Sequence, residues 1–372
     1  MITGMDEYPV HQLPQPIADV GSSDRNFYDR CYLNAHDRTG DLFLITGMGY
    51  YPNLGTKDAF VLVRRGDEQT AVHLGDALDH DRLDQRVGGY RVEVVKPLEE
   101  LRVVLEETEG IAMDLHWRGL FPVVQEAPHV MRTGTLRKVL DAQRFAQCGS
   151  WEGTISIDGE EIAVTPDRWV GSRDRSWGIR PSGESEPPGR PADPAWGGMW
   201  WLYVPVAFDD FGICLIIQEE ADGYRLLNDC TRIFKDGRVE QLGWPRIRTT
   251  YVSGTRTPKS GVIDCTLPDG TPVTIEVESL LAVPIHVGGG YGGDSDWGHG
   301  QWKGPGFTER VTYDLTDPAV VGRVPFGLTD SVGRAVWREE GRDPIEGWGL
   351  YEHGVLGLHE PTGFTDWFIH AP

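Results

Sequence analysis

Between Trp169 and Pro181 the chain reads Trp-Val-Gly-Ser-Arg-Asp-Arg-Ser-Trp-Gly-Ile-Arg-Pro. One carboxylate, Asp174, stands there among three guanidiniums, Arg173, Arg175 and Arg180, and between two indoles, Trp169 and Trp177. Fixed cations lower a carboxylate pKa, whereas drying by large aromatics raises it, so a shifted pKa is expected at Asp174. A desolvated acid could protonate a C=C bond or a carbonyl, with aromatic faces steadying the cation that forms. In this reading Asp174 is the acid, Trp169 and Trp177 wall the substrate, and Arg173 and Arg175 position it. The same residues also fit a structural network, with Arg175 or Arg180 stacked on Trp177 and Asp174 locking the arrangement.

Two further segments carry candidates. Residues 288–293 satisfy G-x-G-x-x-G, yet Asp294, Asp296 and Trp297 follow where a phosphate-binding helix would begin. A flexible loop at a barrel mouth suits the glycines better. It brings Trp297 and Trp302 as substrate contacts and His299 as a hydrogen-bond donor, a proton shuttle or a structural histidine. In Gly347-Trp-Gly-Leu-Tyr-Glu-His353, alternation sets Trp348, Leu350 and Glu352 on one face and Tyr351 and His353 on the other. Glu352 is a second catalytic candidate that could face Asp174, and His353 a substrate contact. No metal is expected, because His286, His299, His353, His359 and His370 imitate no ligand spacing. G-x-S-x-G, G-x-x-x-x-G-K-[ST] and H-E-x-x-H are absent, and protonation chemistry needs no organic cofactor.

The elements that must hold these residues are strands. Glycine and proline are plentiful at 47 and 25 residues, in keeping with short strands and tight turns. Leu42–Ile45, Ala59–Val63, Tyr90–Val95, Leu101–Glu106 and Ile111–Trp117 are β-prone, several with apolar and polar residues alternating. Asp158-Gly159, Asp236-Gly237 and Pro268-Asp-Gly270 read as hairpin turns. Helical spacing of Leu136, Val139, Leu140 and Arg144 predicts one helix over Thr135–Gln147. The expected division is an irregular arm over 1–30, a β-barrel over 31–183, a Pro/Gly-rich linker over 184–195 and a second β-barrel over 196–372. The aromatic run Trp196, Trp200, Trp201, Tyr203 and Phe208 reads as barrel core and domain interface, leaving room for a shared pocket.

Charge and cysteines narrow the partners. A formal charge of −22 would repel phosphate backbones and anionic membrane surfaces, so neither is an expected partner. Five scattered cysteines without C-x-x-C spacing suit structural thiols in a reducing cytoplasm. The first twenty residues lack the basic flank and apolar run of a signal peptide, and no apolar stretch is long enough for membrane insertion.

Asp174-Arg-Ser-Trp-Gly178 resembles the Asp-His-Asn-Trp-Gly signature of the hydroxyneurosporene synthase (carotenoid 1,2-hydratase) family, and the AttH-like proteins carry a similar one. The tract Gln143-Arg-Phe-Ala-Gln147, continuing through Trp151–Gly159, is similar to actinobacterial members of the grouping. The resemblance implies two lipocalin-like antiparallel barrels in tandem, and hydration or cyclisation of lipophilic substrates. It matches Asp174 to the family's acid and Trp177 to its indole. Ser172, Arg173 and Arg175 depart from the hydratase signature, which has an aromatic and a histidine ahead of the acid and a histidine after it.

The resulting expectation is an all-β, two-barrel, cytoplasmic protein that takes a small lipophilic molecule as its partner. Hydration or elimination, isomerisation or cyclisation by acid assistance is the expected chemistry, without a cofactor. A non-catalytic carrier is the alternative, and a homo-oligomer is left open.

Overall fold

The computed structural model describes residues 2–132, 137–186, 197–292 and 296–372. It is nearly all-β, built on two antiparallel sheets of fourteen and ten strands, in agreement with the tandem barrel expectation. The first sheet runs in the order Glu68–Ala77, Thr56–Arg65, Phe43–Tyr51, Phe27–His36, Val170–Ile179, Lys138–Ile157, Ile111–Gly119 and on to Arg86–Val87. It curls until Arg86–Val87 lies against Thr56–Arg65 and Glu68–Ala77. In the second sheet the Leu242 backbone bonds to Cys230 on one side and Thr266 on the other, joining strands from its two ends.

Each sheet closes on a core formed by alternate side chains. Cys31, Leu33, Ala35, Leu44, Val61, Leu115, Trp117 and Trp151 fill the first, and Trp200, Leu202, Val204, Ile213, Leu215, Ile275 and Trp337 the second. A third cluster lies between the sheets and draws on both: Tyr32, Phe43, Ile45, Phe60 and Ala146 meet Trp201, Tyr203, Ile216, Val332 and Leu350. The halves are therefore packed face to face on apolar surface, which alternation supplies because the intervening side chains are already committed to each barrel.

Chain order and sheet membership diverge at one place. The Phe307–Asp314 strand, well beyond the linker, pairs antiparallel with Glu68–Ala77 and forms an edge of the first sheet. The first sheet also begins at Phe27, within the expected arm. Of the expected linker, residues 187–195 lie outside the described residues, as does Trp196.

The helix expected over Thr135–Gln147 is overturned. Its first two residues lie outside the described residues, and Lys138–Ile157 is a single twenty-residue strand. Between residues 139 and 151 no side chain of this strand is exposed, one face being covered by the first barrel and one by the second half. Its polarity therefore does not alternate cleanly, and the apolar spacing mimics a helix.

The glycine-rich loop is likewise not an open barrel mouth over its described part. Residues 285–290 are buried between the sheets, and Trp297 stacks on His73 with ring centroids 4.4 Å apart. Gly290 takes a φ of +76°, and a Cβ there would lie 2.5 Å from the Trp297 ring. Gly290→Ala should lower stability by about 1–3 kcal/mol through backbone strain and overlap, read as a lower urea midpoint at unchanged slope.

Candidate active site

Three adjacent strands of the first sheet, Lys138–Ile157, Val170–Ile179 and Phe27–His36, present a face toward the second half. Their register aligns Ala146, Asp174 and Tyr32 in one row and Arg144, Ser176 and Arg30 in the next. Small side chains at Ala142, Ala146 and Ser176 leave a hollow in this face. Met199, Trp201, Gln218 and Glu352 of the second sheet cover it, with Ile285, Tyr291 and Leu328 from its connections and Glu126, His129 and Met131 at one side. The cavity measures about 290 Å³ and lies between the two sheets, not inside either barrel.

Asp174 lines this cavity. Burial raises its pKa to about 7, with Glu126 and Glu352 adding to the rise while Arg144 and Arg30 oppose it. Arg144 donates from Nε to Glu126 Oε2 at 2.5 Å. Burial weakens the Arg144 cation, but Glu126, Tyr203 and Asp174 more than offset this and hold its pKa above the ordinary value. Its guanidinium also lies over the Tyr203 ring, 4.8 Å from the centroid.

A second acidic group sits across the cavity. Glu352 accepts a hydrogen bond from the Trp201 indole N–H. Behind it, Asp330 is fully buried and accepts from the Tyr32 hydroxyl at 2.5 Å. Burial and the neighbouring Glu352 push the Asp330 pKa well above the ordinary carboxylate value. Burial also raises Glu352, while Arg144, the Trp201 indole and Asp330 restrain the rise. His129 lies beside this group, stacked on Trp201 and bonded through Nε2 to Gln218 Oε1 at 2.5 Å. Burial and Arg144 lower its pKa to about 4, which keeps it neutral.

Of the residues singled out from sequence, Asp174 and Glu352 line the cavity together. Arg173, Arg175 and Trp177 alternate onto the opposite face, because neighbours along a strand point to opposite sides. Arg173 donates to Gln147 Oε1 at 2.8 Å, and burial lowers its pKa to about 10. Arg175 donates to Asp29 at 3.0 Å and to Gln85 at 3.1 Å, and Trp177 packs by Phe145. The placement expected for these three, beside Asp174 at the ligand, is thus not what the structure has. Trp169 belongs to the first barrel's core.

The second-half candidates also separate. His353 faces the second barrel's interior, bonded to the Trp201 carbonyl at 2.5 Å and to the Tyr251 hydroxyl at 3.0 Å, and burial lowers its pKa to about 4. Trp297 and His299 form a layer behind Tyr291, whose ring centroid is 4.8 Å from that of His299. Burial keeps His299 neutral. Trp302 is half exposed at the surface.

Sequence reasoning passed over Arg30, Tyr32, Glu126 and Asp330, and weighed Arg144 and Trp201 in other roles. One signal was available: Arg30, Tyr32 and Asn34 are polar or amphipathic at alternate positions of a strand whose other face is apolar.

The matched family model covers residues 2–365 and describes a family of unknown function, DUF8625. The chain belongs to that family. No curated protein matches the sequence. Among solved structures it is similar to an AttH-like protein from Nitrosomonas europaea, with TM-score 0.51 and 13% identity over 88% of this chain and 92% of the other. Kievitone hydratase from Nectria haematococca is alike at TM-score 0.51 and 12% identity, covering 91% of this chain and 90% of that one. CghA matches at TM-score 0.51 and 12% identity, with 89% and 88% covered. At these identities the likeness establishes a shared fold alone. Among the described residues no helix is long and apolar enough to cross a membrane.

The raised pKa of Asp174 has a consequence for stability. An unfolded aspartate ionises near 3.8, whereas the native one ionises near 7, so the native state binds the extra proton between these values. Native stability therefore carries the full contribution below 3.8 and loses it as pH rises toward 7. Asp174→Asn removes this loss. Its melting temperature should gain on wild type progressively across that interval and hold a constant margin above it, by calorimetry across pH. A margin independent of pH would contradict the assignment.

Proposed function

We propose that the protein is a cofactor-independent enzyme that takes a small amphipathic molecule into the cavity between its sheets. It acts there by acid-assisted hydration or elimination, isomerisation or cyclisation. The observation that carries this reading is an aspartic acid lining an aromatic-rich cavity, where burial raises its pKa to about 7. A general acid is most effective when its pKa lies near the working pH.

Asp174 would transfer its proton to a substrate C=C or carbonyl, and the Asp174 O–H bond breaks as the new bond forms. The cation that develops lies among the rings of Tyr32, Tyr291 and Trp201. Glu352 then takes a proton from an adjacent carbon or from an attacking water, and its hydrogen bond with Asp330 favours the ionised form that can accept it. Two carboxyl groups held in different environments can divide acid and base duties.

Kievitone hydratase is named for hydration and shares this fold, which supports hydration or its reverse within the class. The likeness of Asp174-Arg-Ser-Trp-Gly178 to the hydroxyneurosporene synthase signature supports Asp174 as the acid, although Trp177 turns toward the first barrel in this chain. Five buried, unpaired cysteines support a reducing cytoplasm as its compartment.

The test begins with native mass spectrometry to identify a small molecule retained from cell extract, followed by turnover of that molecule. Activity should fall as pH rises above about 7, because the acid must be protonated to act. Asp174→Asn should reduce turnover about 10²- to 10⁴-fold with binding preserved. Recovery of the supplied ligand unchanged by wild type would instead identify a carrier.

A further inference from the structure

Two guanidiniums at the cavity are left without an anion. Arg30 is 6% exposed, lines the cavity and places its guanidinium over the Tyr291 ring at 4.8 Å. Arg180 lines the same cavity and lies over the same ring at 5.4 Å. Neither side chain has a hydrogen bond or an ion pair among the described residues. Arg144, by contrast, is neutralised by Glu126.

In a chain with a formal charge of −22, unpaired arginines lining a cavity are conspicuous, since carboxylates are abundant elsewhere. Most of the arginines on the surface of this protein do find one, as Arg65 does in Glu160 and Arg338 in Glu276. A buried cation without a partner is costly, and a ring face compensates it incompletely. The carboxyls that share this space do not close the gap. Asp174 is close enough to feel Arg30, and Glu352 to feel Arg180, but each is pushed toward its neutral form by burial. Asp58 acts on Arg30 through space but makes no hydrogen bond or ion pair with it, accepting instead from the Gly300 amide at 2.6 Å and the Tyr51 hydroxyl at 3.2 Å.

We infer that the cavity binds its ligand through a planar, delocalised oxyanion, a carboxylate or an acidic enol, held by Arg30 and Arg180 beside Tyr291. Guanidinium forks match such an anion in geometry as well as charge. The rest of the ligand then extends along the apolar wall of Met199, Trp201 and Leu328 toward Asp174 and Glu352. The inference rests on the reading of this cavity as the substrate site and adds the chemical class of what enters it. An anion seated there also favours the protonated form of Asp174, so binding and readiness to donate a proton are coupled.

The experiment compares three probes by isothermal titration calorimetry on the full chain: phenylbutyrate, the matching neutral phenylbutanol, and a phenyl-substituted cyclic 1,3-diketone as the acidic enol. Arg30→Met, Arg180→Met and Asp174→Asn are titrated beside wild type, each first checked for native near-ultraviolet circular dichroism. At least one of the two acidic probes should bind about tenfold or more tighter than the alcohol, and which one does so separates carboxylate from enolate. That preference should shrink toward unity in either arginine variant and survive in Asp174→Asn. Should one arginine variant fail to fold, the other still tests the claim. If the alcohol binds as tightly as both acids, or the preference persists in the arginine variants, the oxyanion site is overturned while the cavity stands. If no probe binds at about 10 mM, the cavity reading falls and the oxyanion site with it.

Discussion

The ion pair between Arg144 and Glu126 is the constraint on which the seam between the sheets depends. Arg144 reaches from the long Lys138–Ile157 strand over Tyr203 of the second sheet, and Glu126 accepts from Cys214 of that sheet at 3.4 Å. The pair thus carries contacts of both halves at the edge of the cavity. Buried pairs contribute little net stability, because desolvation consumes most of the Coulombic gain. What this pair does is set a field. Arg144 is the strongest influence holding the Asp174 pKa down against burial, and Glu126 adds to the rise. Their opposed effects leave Asp174 near neutrality, where a proton can be both held and given up.

Strand alternation decides which side chains feel that field. In Ser172–Arg173–Asp174–Arg175–Ser176, the serines and the aspartate turn to the seam while the arginines turn to the first barrel. Arginines adjacent in sequence are therefore remote from the acid in their bonding. The charges that act on Asp174 come from neighbouring strands, where Arg144 and Arg30 share the row beside it. A sheet brings together residues far apart in sequence more readily than residues one position apart, and a site built on one inherits that rule.

The same rule explains what the sequence could and could not reveal. Short β-prone runs and Asp-Gly turns are local signals, and they led to the all-β tandem architecture. Asp174 and Glu352 stand out as carboxyls among aromatics, and alternation over Leu350–His353 correctly opposes Glu352 to His353. Glu126 carries no local signal and Arg30 only that of its strand's polar face, since their importance arises from contacts with other strands that register and packing create. The twenty-residue Lys138–Ile157 strand misleads for a related reason: covered on both faces over residues 139–151, it loses the alternation that marks a half-exposed strand. That Phe307–Asp314 belongs to the first sheet depends on packing of the whole chain, which no local pattern carries.

Placing the cavity between sheets instead of within a barrel has a chemical consequence. A barrel interior of this size is filled by its own side chains, as Trp117 and Trp151 fill the first one here. Polar groups put inside would have to be bonded completely to the barrel itself. The seam offers an alternative, since each sheet can contribute groups whose partners belong to the other. Asp330 accepts from Tyr32 in this way, across the seam, while Trp201 donates to Glu352 within the second sheet. Tyr32 thereby links the strand beside Asp174 to the carboxyl behind Glu352. A rearrangement of one sheet against the other would disturb both acidic groups at once, so the packing that joins the halves is also what keeps the two proton-carrying groups in a fixed relation.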